Sequence, residues 1–274
     1  MNSTLATYIF KQTCINRYFE LEAAKAHQQG FINIPMYLSV GQEHIAATVS
    51  KYYKNYPLFP QHRCHSWYLS WGIPPEGVAK ELLSQKDGYN QGKGGSSSIS
   101  SKEFNIFAHS GLLGDQIPIA TGYAQASKEK TICILGDASA EEDYALASFG
   151  YAATHKLPIL YICEDNNLSI LTEKKVRRSW DLYEVALGFG LNACNINDEI
   201  DSIIYAITNI KLPGLININT CRHLWHAGSG CDGLPKYNRF EEITEKFRQY
   251  INVNSILKQT KTEMFQLWQR LLKQ

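Results

Sequence analysis

Short runs of apolar residues occur through the middle of the chain, and segments with helical periodicity separate them. The runs predict buried strands near 131–135, 159–163 and 215–218, and a short strand is predicted near 191–196. The segment from Ser139 to His155 has the length and pattern of a helix and connects the first two runs. Because a strand, a helix and a second strand form a right-handed crossover, these strands should be parallel. The pattern therefore predicts an α/β fold.

Helical periodicity also covers both ends of the chain. Helices are predicted at 4–29, 41–53, 74–84, 117–126, 182–187 and 198–210, and polar amphipathic helices at 240–251 and 255–273. Loops are predicted at 57–67, 88–98 and 168–182. The composition changes after residue 235. We therefore expect one large domain at 1–236 and a C-terminal helical appendage at 237–274.

Composition and charge narrow the classes of function. The chain has 274 residues, of which 44% are apolar and 19% are charged, so it can bury a sizeable core. A net charge of +1 provides no bulk attraction for nucleic acid or an anionic membrane. No run of about 18 apolar residues and no signal peptide is evident. The seven cysteines contain no CxxC pair, which fits a reducing compartment. We expect a cytoplasmic protein that binds neither nucleic acid nor membrane.

Two polar residues follow consecutive predicted strands. Asp137 comes after the first run, through Gly136, and Asn166 comes after the second. In a parallel sheet both lie at the carboxyl edge, where ligands of open α/β sheets bind. A carboxylate and an amide are hard oxygen donors that Mg²⁺ accepts, usually together with phosphate and water. The pair predicts a site for a magnesium diphosphate, and Ser139 at a helix N-terminus would offer N–H groups to a phosphate.

Turn formation is the alternative explanation for the two residues. Gly-Asp and Asn-Asn are ordinary loop formers after strands, whatever the function of the protein. Either dipeptide alone would favour that explanation. Their occurrence at the ends of two neighbouring parallel strands favours the ligand site instead.

The motifs around these residues resemble a known family. Residues 136–142, Gly-Asp-Ala-Ser-Ala-Glu-Glu, and residues 163–168, Cys-Glu-Asp-Asn-Asn-Leu, resemble the thiamine diphosphate signature, which begins Gly-Asp-Gly and ends in an Asn pair. The variant is that of the alpha subunits of 2-oxo acid dehydrogenases of the pyruvate, branched-chain and acetoin type. The resemblance covers about residues 37–232. It implies the transketolase-like thiamine diphosphate-binding fold, a doubly wound parallel α/β sheet.

This resemblance implies three ligands for Mg²⁺. They are the carboxylate of Asp137, the side chain of Asn166 and the main-chain carbonyl of Leu168.

Further positions would contact thiamine diphosphate. In the signature these are Gly136, Ala138 and Ser139, and Ala138 replaces a glycine of the family, which adds a methyl group beside the diphosphate. Residues 111–114, Gly-Leu-Leu-Gly, resemble a loop in which Gly111 approaches the cofactor and Leu113 props it into a bent shape. A plain core leucine is the alternative for Leu113.

Three histidines and an arginine complete the expected site. Residues 62–66, His-Arg-Cys-His-Ser, resemble a Tyr-Arg-x-His-Gly loop, in which Arg63 contacts the diphosphate and His62 stands where the family has tyrosine. His65 would line the active site. His226 aligns with a histidine that binds the cofactor, positions substrate or acceptor, or moves protons. A solvated surface is the alternative for the loop, and a structural role is the alternative for His226.

The implied function is decarboxylation of a small 2-oxo acid and transfer of the acyl unit to an acceptor. The glutamate that activates the cofactor in this family lies on a beta subunit, so the resemblance implies a partner chain and a heterotetramer. A biosynthetic acyl transferase or acyloin-forming subunit is one alternative, and a degenerate assembly subunit is another. A nicotinamide enzyme is disfavoured because residues 188–193, which mimic a dinucleotide fingerprint, follow a helix rather than a strand.

Overall fold

The structure is a computed structural model that describes residues 1–107, 109–231 and 236–273. The chain divides into two compact units. The helical unit comprises Met1–Lys54, Arg63–Ser100 and Arg222–Gln274. The sheet unit comprises Asn55–His62 and Ser101–Cys221.

The strands all belong to the sheet unit. They are β1 (Leu58–Phe59), β2 (Thr131–Gly136), β3 (Ile159–Asp165), β4 (Leu168–Ser169), β5 (Thr172–Glu173), β6 (Asn192–Asn197) and β7 (Gly214–Asn219). Five of them form a parallel sheet in the order β1-β2-β3-β7-β6, and β4 and β5 form a separate antiparallel hairpin. The predicted parallel α/β fold is therefore confirmed.

The helices occur along the chain before, between and after these strands. They are α1 (Ser3–Gln28), α2 (Glu43–Tyr53), α3 (His65–Trp71), α4 (Pro75–Leu82), α5 (Gln116–Ser127), α6 (Asp143–Thr154), α7 (Lys174–Arg177), α8 (Leu182–Gly188), α9 (Ile200–Asn209), α10 (Arg239–Phe247) and α11 (Val253–Leu271). A 3₁₀ turn at Ser139–Glu141 precedes α6. Among the described residues, no helix combines the length and apolar character needed to cross a membrane.

The core of the sheet unit forms between the sheet and its helices. All residues of β3 are buried, as are the first five of β2, so these strands read as continuous apolar runs rather than alternating ones. Tyr161 on β3 stacks edge-on against Phe149 of α6, with ring centroids 4.9 Å apart. The buried hydroxyl of Tyr161 is satisfied by Thr121 of α5 at 2.6 Å. As predicted, Cys133 and Cys163 serve as small buried apolar residues.

The crossover from β2 through α6 to β3 places the carboxyl ends of both strands at one edge of the sheet. The register aligns Gly136 of β2 with Glu164 of β3. Asp137 and Asn166, which follow these strands, therefore lie at the same edge, as predicted.

Three expectations about local structure were wrong. The loop predicted at 57–67 contains β1 and the start of α3, whose seven residues are all buried and so show no amphipathic pattern. The loop predicted at 168–182 contains the β4–β5 hairpin and α7. The helix expected to begin at Ser139 begins at Asp143, because Glu142 has an extended backbone that separates it from the 3₁₀ turn. Ser139 therefore does not open an α-helix.

The C-terminal helices pack within the helical unit. Trp268 of α11 is fully buried and its ring lies 5.4 Å from that of Phe19 on α1. Leu267 and Leu271 are buried on the same face, whereas Phe265 is exposed. The amphipathic pattern of this segment thus forms an intramolecular core, and the proposed boundary at residue 236 stays a prediction.

Candidate functional site

The end of β2 brings a carboxylate into a buried position. A Cβ at Gly136 would lie 2.9 Å from Oε1 of Gln61, a side chain held by its 2.6 Å hydrogen bond to Glu164. Glycine therefore lets the strand end close to this buried pair. The next residue, Asp137, is only 2% exposed. A buried carboxylate requires positive or hydrogen-bonding partners, so its neighbours determine what the site can do.

Two consecutive arginines supply those partners. Arg177, the last residue of α7, donates from Nη2 to Oδ2 of Asp137 and from Nη1 to Oε1 of Glu141 at 2.7 Å. Arg178 donates from Nη1 to the main-chain carbonyl of Asp137 at 2.7 Å and contacts Glu141 at 3.1 Å. The guanidinium of Arg178 also lies over the ring of Trp180. One arginine thus neutralises the side chain of Asp137, and the other holds its backbone.

The electrostatics of Asp137 are those of a crowded anionic site. Burial and, to a smaller extent, the nearby carboxylate of Asp165 outweigh the opposing effect of Arg177 and raise the pKa of Asp137 from the ordinary 3.8 to about 6. Lys174 of α7 forms an ion pair with Oδ2 of Asp165. The two buried carboxylates at the ends of β2 and β3 are therefore each held by a cation from α7.

Asn166 lies in a tight turn directly after β3. Oδ1 of Asp165 accepts a hydrogen bond from the Asn167 N–H at 3.0 Å, and Oδ1 of Asn166 accepts one from the Leu168 N–H at 3.2 Å. Asn167 adopts a left-handed backbone conformation, which asparagine tolerates well. The turn chemistry considered as the alternative is thus present, and it also fixes the amide of Asn166 and the main chain of Leu168 at the carboxyl edge.

Ala138 and Ser139 continue the chain in ordinary conformations. Ala138 has φ −71° and ψ −36°, in the right-handed helical region that any L-residue adopts. The alanine in place of the family glycine is therefore unstrained. Ser139 is buried within the 3₁₀ turn.

The loop that contains Gly111 and Leu113 is tied to the same unit. The Gly111 N–H donates to Nδ1 of His109 at 3.0 Å, and the carbonyl of Leu113 accepts from the hydroxyl of Tyr144 on α6. The ring of His62 lies 6.2 Å from that of His109. Burial lowers the pKa of His109, and Asp115 opposes this effect. The loop is therefore anchored beside α6, and the cofactor contacts expected of these residues stay predictions.

The helical unit holds the remaining predicted residues. Arg63 is buried and donates to the carbonyl of Leu38. His65, also fully buried, lies between the carboxylate of Glu20, 3.2 Å from Nδ1, and the hydroxyl of Ser96, 2.9 Å from Nε2. Both ring nitrogens of His65 are thus engaged by side chains of its own unit, and its place in the active site stays a prediction.

His226 is partly buried and its ring packs edge-on against Tyr37, with centroids 5.2 Å apart. Residue Gly228 also forms a β-bridge with Tyr37. The contact orients the imidazole within the helical unit, and its catalytic role stays a prediction.

The glycine-rich loop at 88–98 binds an anion that belongs to the chain itself. The fully buried carboxylate of Glu81 accepts from the main-chain N–H groups of Asn90, Gly92 and Gly94 at 2.8, 3.0 and 2.6 Å. Gly92 has φ +73°, and a Cβ there would lie 2.4 Å from the carbonyl carbon of Ser84. These three N–H groups are therefore committed to Glu81.

The chemistry of the edge formed by Asp137 and Asn166 fits a divalent cation with a diphosphate. The carboxylate of Asp137 lies at this edge, and amide and carbonyl oxygens follow β3 within a short turn. The Nε atoms of Arg177 and Arg178 are buried donors without an acceptor among the described residues, which suits an anion nearby. No cluster of three or more His, Cys, Asp or Glu side chains able to hold a metal occurs in the described ranges. Besides the carboxylate of Asp137, a cation here would accordingly rely on neutral and phosphate oxygens.

Sequence reasoning missed Arg177, Arg178 and Glu141 as parts of this site. Residues 174–178, Lys-Lys-Val-Arg-Arg, hold four basic residues in the segment interpreted as loop. This cluster of positive charge follows Glu164, Asp165 and Glu173 in the chain, and it could have indicated partners for buried carboxylates.

Known proteins are similar to most of this chain. Residues 11–203 match the family model described as dehydrogenase E1 component. A pyruvate dehydrogenase E1 component subunit alpha from Rickettsia bellii is 28% identical over 266 residues, which cover 91% of this chain and 80% of that protein. The protein of the same name from Rhizobium meliloti is 29% identical over 254 residues, covering 87% of this chain and 72% of the relative.

Solved structures share the fold. A transketolase from Leishmania mexicana superposes with a TM-score of 0.65 at 13% identity, over 97% of this chain and 46% of that one. A transketolase from Campylobacter jejuni gives 0.63 at 17% identity, over 97% and 48%. This chain thus spans about half the length of these transketolases, and the likeness confirms the transketolase-like fold. With the family match over most of the sequence, the chain belongs to the dehydrogenase E1 component family, the thiamine diphosphate-dependent 2-oxo acid dehydrogenases whose alpha subunits its motifs resemble.

Proposed function

We propose that the chain is the alpha subunit of a thiamine diphosphate-dependent enzyme that decarboxylates a 2-oxo acid and passes the acyl unit to an acceptor. The observation that carries the proposal is the buried Asp137 at the end of β2, at the same edge as Asn166, inside the segment that matches the family. Pyruvate is the first substrate to test, because the relatives are named pyruvate dehydrogenase subunits.

Asp137, the amide of Asn166 and the carbonyl of Leu168 would hold Mg²⁺ and, through it, the cofactor diphosphate. Thiamine diphosphate supplies, when bound, the nucleophilic carbon that adds to the 2-oxo acid and the electron sink for loss of carbon dioxide. The chain's own contribution is orientation. Arg178 holds the main chain of Asp137, and the asparagine turn holds Asn166 and Leu168, which would limit the rearrangement that cation binding requires.

The proposal includes a beta subunit that carries the activating glutamate, arranged with this chain as a heterotetramer in the cytoplasm. The support is the family membership and the names of the relatives as alpha subunits. The seven cysteines are free thiols, which fits a reducing compartment.

The alternatives are less favoured. Relatives named as pyruvate dehydrogenase subunits do not favour a biosynthetic acyl transferase or acyloin-forming subunit. A degenerate assembly subunit was suggested by Ala138, whose backbone is relaxed, so the alanine adds no strain to the chain.

The test is a titration of thiamine diphosphate, with and without Mg²⁺, into the chain co-purified with a beta subunit of the family. Asp137→Asn should abolish Mg²⁺-dependent binding and release of carbon dioxide from pyruvate. Asp143→Asn is the matched control, because it removes an exposed carboxylate of the same type six residues away and should bind normally. Absence of Mg²⁺-dependent binding by the unaltered protein would refute the proposal.

A further inference from the structure

The ion pair between Arg177 and Asp137 is unexpected at a site that should hold a divalent cation. The Arg177 side chain is 12% exposed and that of Asp137 is 3% exposed, so the contact is mostly shielded from water. Charges in such surroundings interact strongly because solvent screens them little. The guanidinium therefore occupies the carboxylate that the proposed function assigns to Mg²⁺.

The charges around Asp137 are already balanced. Ion pairs join three carboxylates and three cations at this edge, namely Asp137, Glu141, Asp165, Lys174, Arg177 and Arg178. A divalent cation on Asp137 would add two positive charges next to the guanidinium on the same carboxylate. Repulsion between the two then works against binding of the cation as long as Arg177 keeps this contact.

Arg177 has a second acceptor, Glu141, besides Asp137. Its Nη1 donates to Oε1 of Glu141 at 2.7 Å, independently of the Nη2 contact with Asp137. Glu141 is 22% exposed, so the pair between these two residues reaches solvent more than the pair with Asp137 does. Arg177 can release Asp137 and remain bound to Glu141, which lowers the cost of the exchange.

We infer that Arg177 sets the affinity of the site for its divalent cation by competing for the carboxylate of Asp137. The inference rests on the proposed function, because it assumes that Asp137 is a ligand of that cation. Arg178 does not compete, since it binds the main-chain carbonyl of Asp137 rather than the carboxylate.

The experiment measures binding of Mn²⁺ alone, by the loss of the free-ion electron paramagnetic resonance signal, to the full chain co-purified with its beta subunit. Arg177→Gln should tighten Mn²⁺ binding about tenfold or more, the factor equivalent to one charge-assisted hydrogen bond. Lys175→Gln is the matched control, because it removes one positive charge from the same helix, where Lys175 is 78% exposed and pairs with Glu173. This control should change the affinity less than about twofold, since exposed charges are well screened.

Unchanged or weaker Mn²⁺ binding in Arg177→Gln, with a wild-type protein that binds Mn²⁺, would overturn the inference and leave the proposed function standing. Equal tightening by Lys175→Gln would also overturn it, because the effect would then be one of net charge. Failure of every variant to bind Mn²⁺, alone or with thiamine diphosphate, would remove the inference together with the proposed function.

Arg177→Lys is a second variant. It keeps the positive charge but loses the guanidinium group, which donates to Asp137 and Glu141 through two separate nitrogens. It should bind Mn²⁺ more tightly than wild type and less tightly than Arg177→Gln.

Discussion

The carboxylate of Glu81 should determine the order of the glycine-rich loop at 88–98. Its Oε2 accepts from the N–H groups of Asn90 and Gly92, and its Oε1 accepts from that of Gly94. Glu81→Gln keeps the shape but replaces one oxygen by an NH₂ group, which cannot accept from a main-chain N–H. At least one hydrogen bond is lost and the others lose their charge-assisted character. At about 1.5–3 kcal/mol for a hydrogen bond to a charged group and about 1 kcal/mol for a neutral one, the expected loss is at least about 2.5 kcal/mol.

Hydrogen exchange measured by mass spectrometry reports this loss where it occurs. A decrease of at least about 2.5 kcal/mol in the free energy of local opening should raise exchange of the loop amides by a factor of about 70 or more. Glu76→Gln on the same helix is the control, because Glu76 is 42% exposed and its ion pairs with Lys80 and Arg270 lie at the surface. Loop exchange in Glu81→Gln that equals the wild-type rate would refute the reasoning.

Two further predictions concern stability and the family glycine. Burial favours a raised pKa for Glu43, but the ion pair and hydrogen bond with Arg17 outweigh burial and hold this pKa below its usual 4.5. The pair therefore stabilises the fold above pH 4.5, and this stabilisation is lost on acidification. Arg17→Met should lower the free energy of unfolding by about 3–5 kcal/mol at pH 7. In urea titrations, this difference from wild type should shrink below pH 4.5. A difference that stays constant with pH would contradict the prediction. Ala138→Gly should lower the free energy of unfolding by about 0.4–1 kcal/mol, because glycine makes the unfolded chain more flexible. It should not improve Mg²⁺-dependent cofactor binding. Tenfold tighter binding in a titration would show that the methyl group obstructs the site.

The sheet was predictable because its central strands leave a strong local signal. β2 and β3 are buried on both faces, so their sequences are mostly apolar runs, which end at Gly136 and at Glu164. The crossover rule then put both strand ends at one edge without any knowledge of tertiary contacts. The same logic failed for α3, since a helix buried on every side has no polar face to reveal its period.

The candidate site was predictable only in part. The carboxylate of Asp137 could be located from the end of its strand, but its partner Arg177 lies 40 residues later in the chain. Residues 168–182 show no periodicity, because the hairpin strands have two residues each and α7 has four. Local sequence patterns therefore identified the anion and missed the cation that neutralises it.

At two places in this chain, the glycine-rich loop and the carboxyl edge of the sheet, the structure puts a charged side chain of the chain itself against groups that could bind a ligand. At the glycine-rich loop that side chain is Glu81, which is fully buried. Its carboxylate accepts hydrogen bonds from three main-chain N–H groups of the loop. At the edge of the sheet it is Arg177, which has Glu141 as a second, more exposed acceptor. Removing Glu81 from its loop would leave buried N–H groups unsatisfied, whereas moving Arg177 away from Asp137 leaves a carboxylate that a divalent cation can satisfy. The first contact is therefore structural, and the second has the properties of a contact that a ligand can displace.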